Sequence, residues 1–321
     1  MITISILALR NSVLASIADS RYVFTMVNQF LTQAGKKPLF YIQLVGNSRQ
    51  IELNDGLFSI HPNVTFTEVK NSDLIIIPAL TGDMISATHL NREYGHWIAQ
   101  QYKNGVEIAS LCSGAFLLAF SGILKGKQCT THWQYANEFK HFYPSVKLVD
   151  EKVLAHQSGI YSSGGSNAYW SLLIHLVEKY AGREMAIHTA KYFVIDFDRD
   201  VQSPFIIFNG LKDHEDETIL HAQGFIEENF SDKLTVELLA DKFNITRRTF
   251  ERRFKKATQN TVAEYIQRVK IEAAKKLLES GRKTVADIMY EVGYVDIQTF
   301  RDVFKRITGM TPVGYMNKYN K

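Results

Sequence analysis

Residues 284–311, TVADIMYEVGYVDIQTFRDVFKRITGMT, read as a capped helix, a tight turn and a second helix. Thr284 is placed to cap a helix over 285–292, with Asp287 three residues on in a capping-box position. Gly293-Tyr294 supplies the turn, and Phe300 and Phe304, one turn apart, mark the inner face of a helix over 297–307. The same unit stands earlier in the chain. Leu239, Phe243 and Asn244 pair with Ile288, Val292 and Gly293 at an offset of 49 residues, while Phe250, Phe254, Lys255, Thr258 and Thr261 pair with Phe300, Phe304, Lys305, Thr308 and Thr311 at 50. The copies differ in length by one residue, in the turn. The first copy thus predicts a helix over 236–243 capped by Thr235 and a second over 247–257, and the helix predicted over 261–280 is long enough to join the copies rigidly.

Charge points the same way. Net charge is +4 over 321 residues, but residues 1–232 sum to −5 and residues 233–321 to +9. A basic module on an acidic body suggests polyanion binding, and two helix-turn-helix units are a means of placing two helices in major grooves of double-stranded DNA. The alternative for the charge alone is a solvated surface. The length favours two domains, and 45% hydrophobic with 22% charged residues is a globular composition. Apolar runs such as 74–80 fall short of a membrane span, and 1–9 lacks the basic head and cleavage site of a signal peptide, so a cytoplasmic protein is expected. Cys112 and Cys129 form no disulfide framework or CxxC pattern, and the histidines lack metal-ligand spacing; no metal or cofactor is expected.

From Ile2 to about Ala181, β-rich apolar runs alternate with amphipathic stretches, the pattern of a doubly wound α/β sheet. Strands are expected over 2–9, 40–45, 74–78 and 106–111, and helices over 22–33, 91–103, 115–122 and 168–180. The turn Asp150-Glu151-Lys152 reads as the bend of a hairpin spanning 146–163. The strand ending at Leu111 runs through Cys112-Ser113-Gly114 into a helix at Ala115. A thiol there sits over the carboxyl edge of the sheet, beside a helix N-terminus whose dipole favours the thiolate. His132 is in reach if the intervening helix returns the chain to that edge. Cys112 has three readings: a compact buried residue, a pocket-lining or redox-sensitive thiol, and a nucleophile. Gly164 and Gly165, in a Ser/Gly-rich turn before a helix, either cradle an anion or only make the turn.

On Leu111-Cys112-Ser113-Gly114-Ala115, Thr131-His132 and the Gly159–Gly165 loop, residues 1–200 resemble the class I glutamine amidotransferase-like proteins of the PfpI-type branch. The resemblance implies a flavodoxin-like sheet with a cysteine at the elbow. Two departures weaken the catalytic implication: Trp133-Gln134 follows His132 where the family places the triad acid, and residues 10–13 hold no early glutamate. No catalytic residue is expected. Residues 219–318 resemble the DNA-binding domain of the AraC/XylS regulators, on Leu239-Ala240, Phe250 and Phe254-Lys255, Ile288, Val292-Gly293-Tyr294, Thr299-Phe300, Phe304-Lys305 and Thr308-Gly309-Met310-Thr311-Pro312 with Tyr315; Met289 stands where alanine is usual. Mapped onto that resemblance, Arg248, Glu251 and Arg252 on the first reading helix and Ile297, Gln298 and Arg301 on the second are candidate base contacts. Lys255, Lys256, Lys305 and Arg306 are candidate phosphate contacts.

The expected architecture is an α/β flavodoxin-like doubly wound sheet followed by an all-α double helix-turn-helix domain. It divides into a sensor and dimerisation domain over 1–200, a linker over 201–216 and a DNA-binding domain over 217–321. This is the layout of a one-component bacterial transcription factor, expected to form a homodimer through its N-terminal domain, with double-stranded DNA and an unknown small-molecule effector as partners. Cys112, Ser113, Gly114, His132, Gly164 and Gly165 are the candidate ligand-pocket residues. The rival reading is a cysteine-dependent amidase or hydrolase fused to an autoregulatory DNA-binding module.

Overall fold

The computed structural model describes residues 1–53, 55–196 and 201–320. The chain divides into two compact units, Met1–Gln202 and Ser203–Lys321. The expected domain end at residue 200 falls within 197–200, outside the described residues, as does Lys321.

The first unit runs β1 (Ile2–Leu7), α1 (Leu14–Gln33), β2 (Phe40–Gly46), β3 (Ile51–Leu53), β4 (Phe58–Ile60), β5 (Val64–Thr65) and β6 (Leu74–Ile77). It continues with α2 (Met84–Leu90), α3 (Arg92–Lys103), β7 (Glu107–Ser110), α4 (Ala115–Phe120), β8 (Gln128–Cys129), α5 (Ala136–Phe142), β9 (Lys147–Leu148), β10 (Leu154–Gln157), β11 (Ile160–Ser163), α6 (Tyr169–Ala181) and α7 (Arg183–Phe193). Seven strands form one sheet in the order β10-β11-β7-β6-β1-β2-β5, parallel throughout except for the β10–β11 pair. The central order β2-β1-β6-β7-β11 is the flavodoxin-like 2-1-3-4-5 winding.

Alternation along the strands feeds two cores. Ile4, Ile6, Leu74 and Ile76 pack with Phe24, Val27 and Leu173 from α1 and α6. Leu7, Ile75 and Ile77 pack on the opposite face with Ile98, Phe116 and Phe139 from α3, α4 and α5. Burial on both faces explains why β6 is a continuous apolar run.

Two elements differ from the sequence reading. α1 begins at Leu14, eight residues before the expected start, because its inner face opens with buried serines: Ser16 Oγ accepts from the Ala79 amide at 3.1 Å, and Ser20 Oγ donates to the Ser16 carbonyl at 2.6 Å. Polar side chains on a buried face hide the period. The hairpin bends at Ser158-Gly159, with φ of +53° and +74°, and not at Asp150-Glu151-Lys152. Two successive left-handed residues match the twist of a tight hairpin, and 147–148 instead pairs in parallel with 128–129.

The second unit is helical: α8 (Glu217–Glu228), α9 (Val236–Lys242), α10 (Arg247–Thr258), α11 (Val262–Ser280), α12 (Val285–Glu291), α13 (Ile297–Thr308) and α14 (Pro312–Tyr319). Every one is capped by a side chain that accepts from a first-turn amide: Asp216, Thr235, Thr246, Thr261, Thr284, Asp296 and Thr311. Each such cap is worth about 1 kcal/mol. α11 carries two cores, one per repeat. Its first half packs with Leu239, Phe250 and Phe254, and its second half with Ile288, Phe300, Phe304 and Tyr315. Ser203–Phe205 forms a short 3-10 turn, and the segment after it is tied down by α11: Lys275 Nζ donates to the Ile206 carbonyl at 2.5 Å, and Glu272 accepts from the Phe208 amide at 3.1 Å.

Candidate functional sites

The repeat extends to individual hydrogen bonds. Thr258 Oγ1 donates to the Phe254 carbonyl at 2.8 Å and Thr308 Oγ1 to the Phe304 carbonyl at 2.8 Å, closing α10 and α13 identically. The caps that follow, Gln259 and Gly309, are both left-handed, at φ +58° and +74°. With Phe250, Phe254, Phe300 and Phe304 fully buried, the opposite faces of the two helices are turned to solvent. Arg248, Glu251 and Arg252 on α10, and Ile297, Gln298 and Arg301 on α13, are all exposed, as are Lys255, Lys256, Lys305 and Arg306.

Their partners differ. Arg248, Arg252 and Arg301 form no ion pair among the described residues, whereas Glu251 accepts from Arg247 at 3.3 Å, Gln298 donates to Asp302 at 3.0 Å and Arg306 donates to Gln267 at 2.6 Å. Arg253, between the reading positions, turns the other way: its guanidinium grips Asp216 at 2.9 and 2.6 Å, and this bond holds the Asp216 carboxyl below its usual range while fixing the start of α8 against α10. Sequence reasoning missed this brace because the two residues lie 37 apart.

In the first unit the elbow lies at the carboxyl end of β7, as expected. Cys112 adopts φ +53°, and Gly114 is required because a Cβ there would stand 2.5 Å from the Pro78 carbonyl oxygen. The elements converge: Thr131 Oγ1 donates to the Cys112 carbonyl at 3.2 Å, the Cys112 amide donates to Ser163 Oγ at 3.3 Å, and Ser113 Oγ donates to the Leu80 carbonyl at 2.7 Å. At Gly164 a Cβ would fall 2.8 Å from the Thr131 carbonyl oxygen and 2.2 Å from Gln202 Nε2, so the glycine loop, the Thr131-His132 segment and Gln202 are in mutual contact. Gly165 follows with φ +73°.

The electrostatics reverse one expectation. Cys112 is 5% exposed, and burial pushes its thiol up to about 11, outweighing the Ser113 hydrogen bonds that favour the thiolate. Burial also lowers His132, whose Nδ1 accepts from the Gln134 amide at 3.1 Å; no carboxylate hydrogen-bonds its ring among the described residues. A neutral thiol and an imidazole without an orienting acid lack the arrangement of a nucleophile and its base. No group of three or more His, Cys, Asp or Glu among the described residues is placed to hold a metal ion.

Two residues at this edge, Gln202 and Tyr169, were missed from sequence. Gln202 donates to the Thr131 and Asp150 carbonyls at 3.0 and 2.8 Å, and its buried Oε1 has no partner. Tyr169 donates to Asp19 at 2.6 Å, and burial followed by that bond raises its phenol above the ordinary range. Neither carries a local motif.

Comparison with known proteins agrees with both halves. The family model for the DJ-1/PfpI family matches residues 24–179, and that for a helix-turn-helix domain matches residues 239–318. The HTH-type transcriptional regulator GbdR of Pseudomonas aeruginosa is 23% identical over 321 residues, covering 97% of this chain and 83% of that protein. The bifunctional transcriptional activator/DNA repair enzyme AdaA of Bacillus subtilis is 41% identical over 91 residues, 28% of this chain and 43% of its own. A solved ThiJ/PfpI family protein from Pseudomonas syringae shares the fold at 17% identity and a TM-score of 0.51, over 60% of this chain and 75% of that one. With a DJ-1/PfpI-like sheet domain ahead of a duplicated helix-turn-helix module, the chain has the make-up of an AraC/XylS-type helix-turn-helix regulator with a DJ-1/PfpI-like N-terminal domain.

Proposed function

We propose that this regulator reads double-stranded DNA through α10 and α13 and answers to a small-molecule effector taken up by its N-terminal unit. The observation that carries the reading is the duplication itself: two helices closed by the same threonine hydrogen bond, with the same buried phenylalanines and the same exposed positions, held on one helix, α11. Arg248, Glu251 and Arg252 face one block of bases, and Ile297, Gln298 and Arg301 the other. Lys255, Lys256, Lys305 and Arg306 meet phosphates.

In this reading the effector acts at the carboxyl edge of the sheet, where Cys112, Ser113, Gly114, His132, Gly164 and Gly165 gather, and the N-terminal unit also forms a homodimer in the cytoplasm of a bacterium. The effector must favour one arrangement of the DNA-binding arms over another to change transcription. Footprinting of the full chain on sites found by genome-wide mapping tests the DNA reading. The expected result is two protected blocks about one helical turn, roughly 10 base pairs, apart, with affinity falling steeply as salt rises. A single block, or binding insensitive to salt, overturns it.

A further inference from the structure

A cleft of about 610 Å³ opens at the carboxyl ends of β2, β1 and β6, lined by Arg10, Asn47, Ser86, His89, Leu90, Arg92 and Glu93. β1 and β6 are the neighbours from which the chain winds in opposite directions, so the cleft lies at the topological switch point, where open α/β sheets place their ligands. Its floor is fixed. The Tyr94 hydroxyl donates to the Ala8 carbonyl at 2.9 Å, and buried Asn91 clamps Arg10 by accepting from its amide at 3.1 Å and donating to its carbonyl at 2.8 Å.

What the floor holds out is charge. Arg10 and Arg92 are exposed, and neither forms an ion pair among the described residues. Glu93 offsets one of them, leaving an excess of one positive charge between the arginines and the carboxylate, hydrogen-bonding groups on Asn47, Ser86 and His89, and an apolar wall at half-exposed Leu90. The neighbouring cleft on the other side of Arg10 has the opposite character, with Glu52 and Asp55 in its lining.

We propose that the cleft between Arg10 and Arg92 binds a small organic monocarboxylate. A planar guanidinium matches a carboxylate with two parallel hydrogen bonds, and one negative charge balances the excess that the cleft carries. The inference rests on the reading that the N-terminal unit takes up an effector, and it names the effector's anchoring group. It also connects the cleft to the elbow: Asn11, next to Arg10, accepts from the Thr81 amide at 2.7 Å, Ser12 bridges Leu80, and the Leu80 carbonyl accepts from Ser113, the neighbour of Cys112.

Calorimetry on the full chain with sodium butyrate and sodium benzoate tests this, with choline chloride and inorganic phosphate at matched ionic strength as comparisons. Saturable binding of a carboxylate is expected, weakened at least about tenfold by Arg10→Gln and by Arg92→Gln, with Arg10→Lys retaining more affinity than Arg10→Gln. Both arginines are exposed, so the variants should keep the wild-type melting temperature; a variant that melts early is replaced by protection of Arg10 and Arg92 from phenylglyoxal in the wild type, read by mass spectrometry. No carboxylate binding, equal binding in the variants, tighter binding of phosphate, or absence of protection each overturns the proposal. Operator binding by Arg10→Gln without added carboxylate, read by gel shift, should equal wild type. A loss of operator binding in the wild type itself would count against the DNA reading and leave the calorimetric result standing.

Discussion

Asn244 and Gly293 occupy the same turn position in the two repeats, and both adopt left-handed backbone, at φ +53° and +75°. Asparagine tolerates this conformation in the first copy, but in the second only glycine fits, because a Cβ at Gly293 would stand 2.1 Å from the Ser231 carbonyl oxygen. Gly293→Ala should therefore cost more than the roughly 1–2 kcal/mol of left-handed strain alone, whereas Asn244→Gly should stay within about 1 kcal/mol of wild type. Urea denaturation of the two variants checks the difference, and equal losses would contradict it.

Base reading and phosphate contact should separate. Gln298→Ala and Arg252→Ala should each cost about 1–3 kcal/mol on the preferred operator and relax preference in different contact blocks. Lys305→Ala should weaken all sequences alike and lower the salt slope. Selection on randomised operators distinguishes these outcomes.

The Cys112 thiol should resist alkylation at pH 7–8, since burial pushes it up to about 11. In the unfolded chain a thiol ionises near pH 8.5, so the folded form holds its proton while the unfolded form releases it, and stability should fall as pH rises from about 8.5 towards 11. Cys129, pushed up to about 12, contributes in the same direction. Cys112→Ser should reduce this alkaline loss without abolishing operator binding. Thermal melts between pH 7 and 10 measure it, and no hydrolysis of small amides or esters is expected from either protein.

The fragment 203–321 should fold and bind DNA, and should be more stable than 217–321. The shorter fragment deprives buried Lys275 of the Ile206 carbonyl and Glu272 of the Phe208 amide, a cost of about 1–3 kcal/mol. Equal melting temperatures for the two fragments would contradict this.

The sequence by itself determined the duplicated module and four of the seven strands of the main sheet, β1, β2, β6 and β7. Phe250, Phe254, Phe300 and Phe304 recur at helical spacing, Thr284 and Thr235 announce their helices, and alternating apolar runs mark β1, β2, β6 and β7; these signals are local, carried within one or two turns or one strand. Tertiary structure decided whatever depended on residues far apart in the chain. The start of α1 rests on Ser16 meeting Ala79, the brace on α8 rests on Arg253 reaching Asp216, and Gly164 is explained by Gln202 and Thr131. The ionisation of Cys112 belongs to the same class. Its helix-terminal position is readable from the chain, but burial under distant segments decides which protonation state wins, because the cost of desolvating a thiolate is set by everything packed around it.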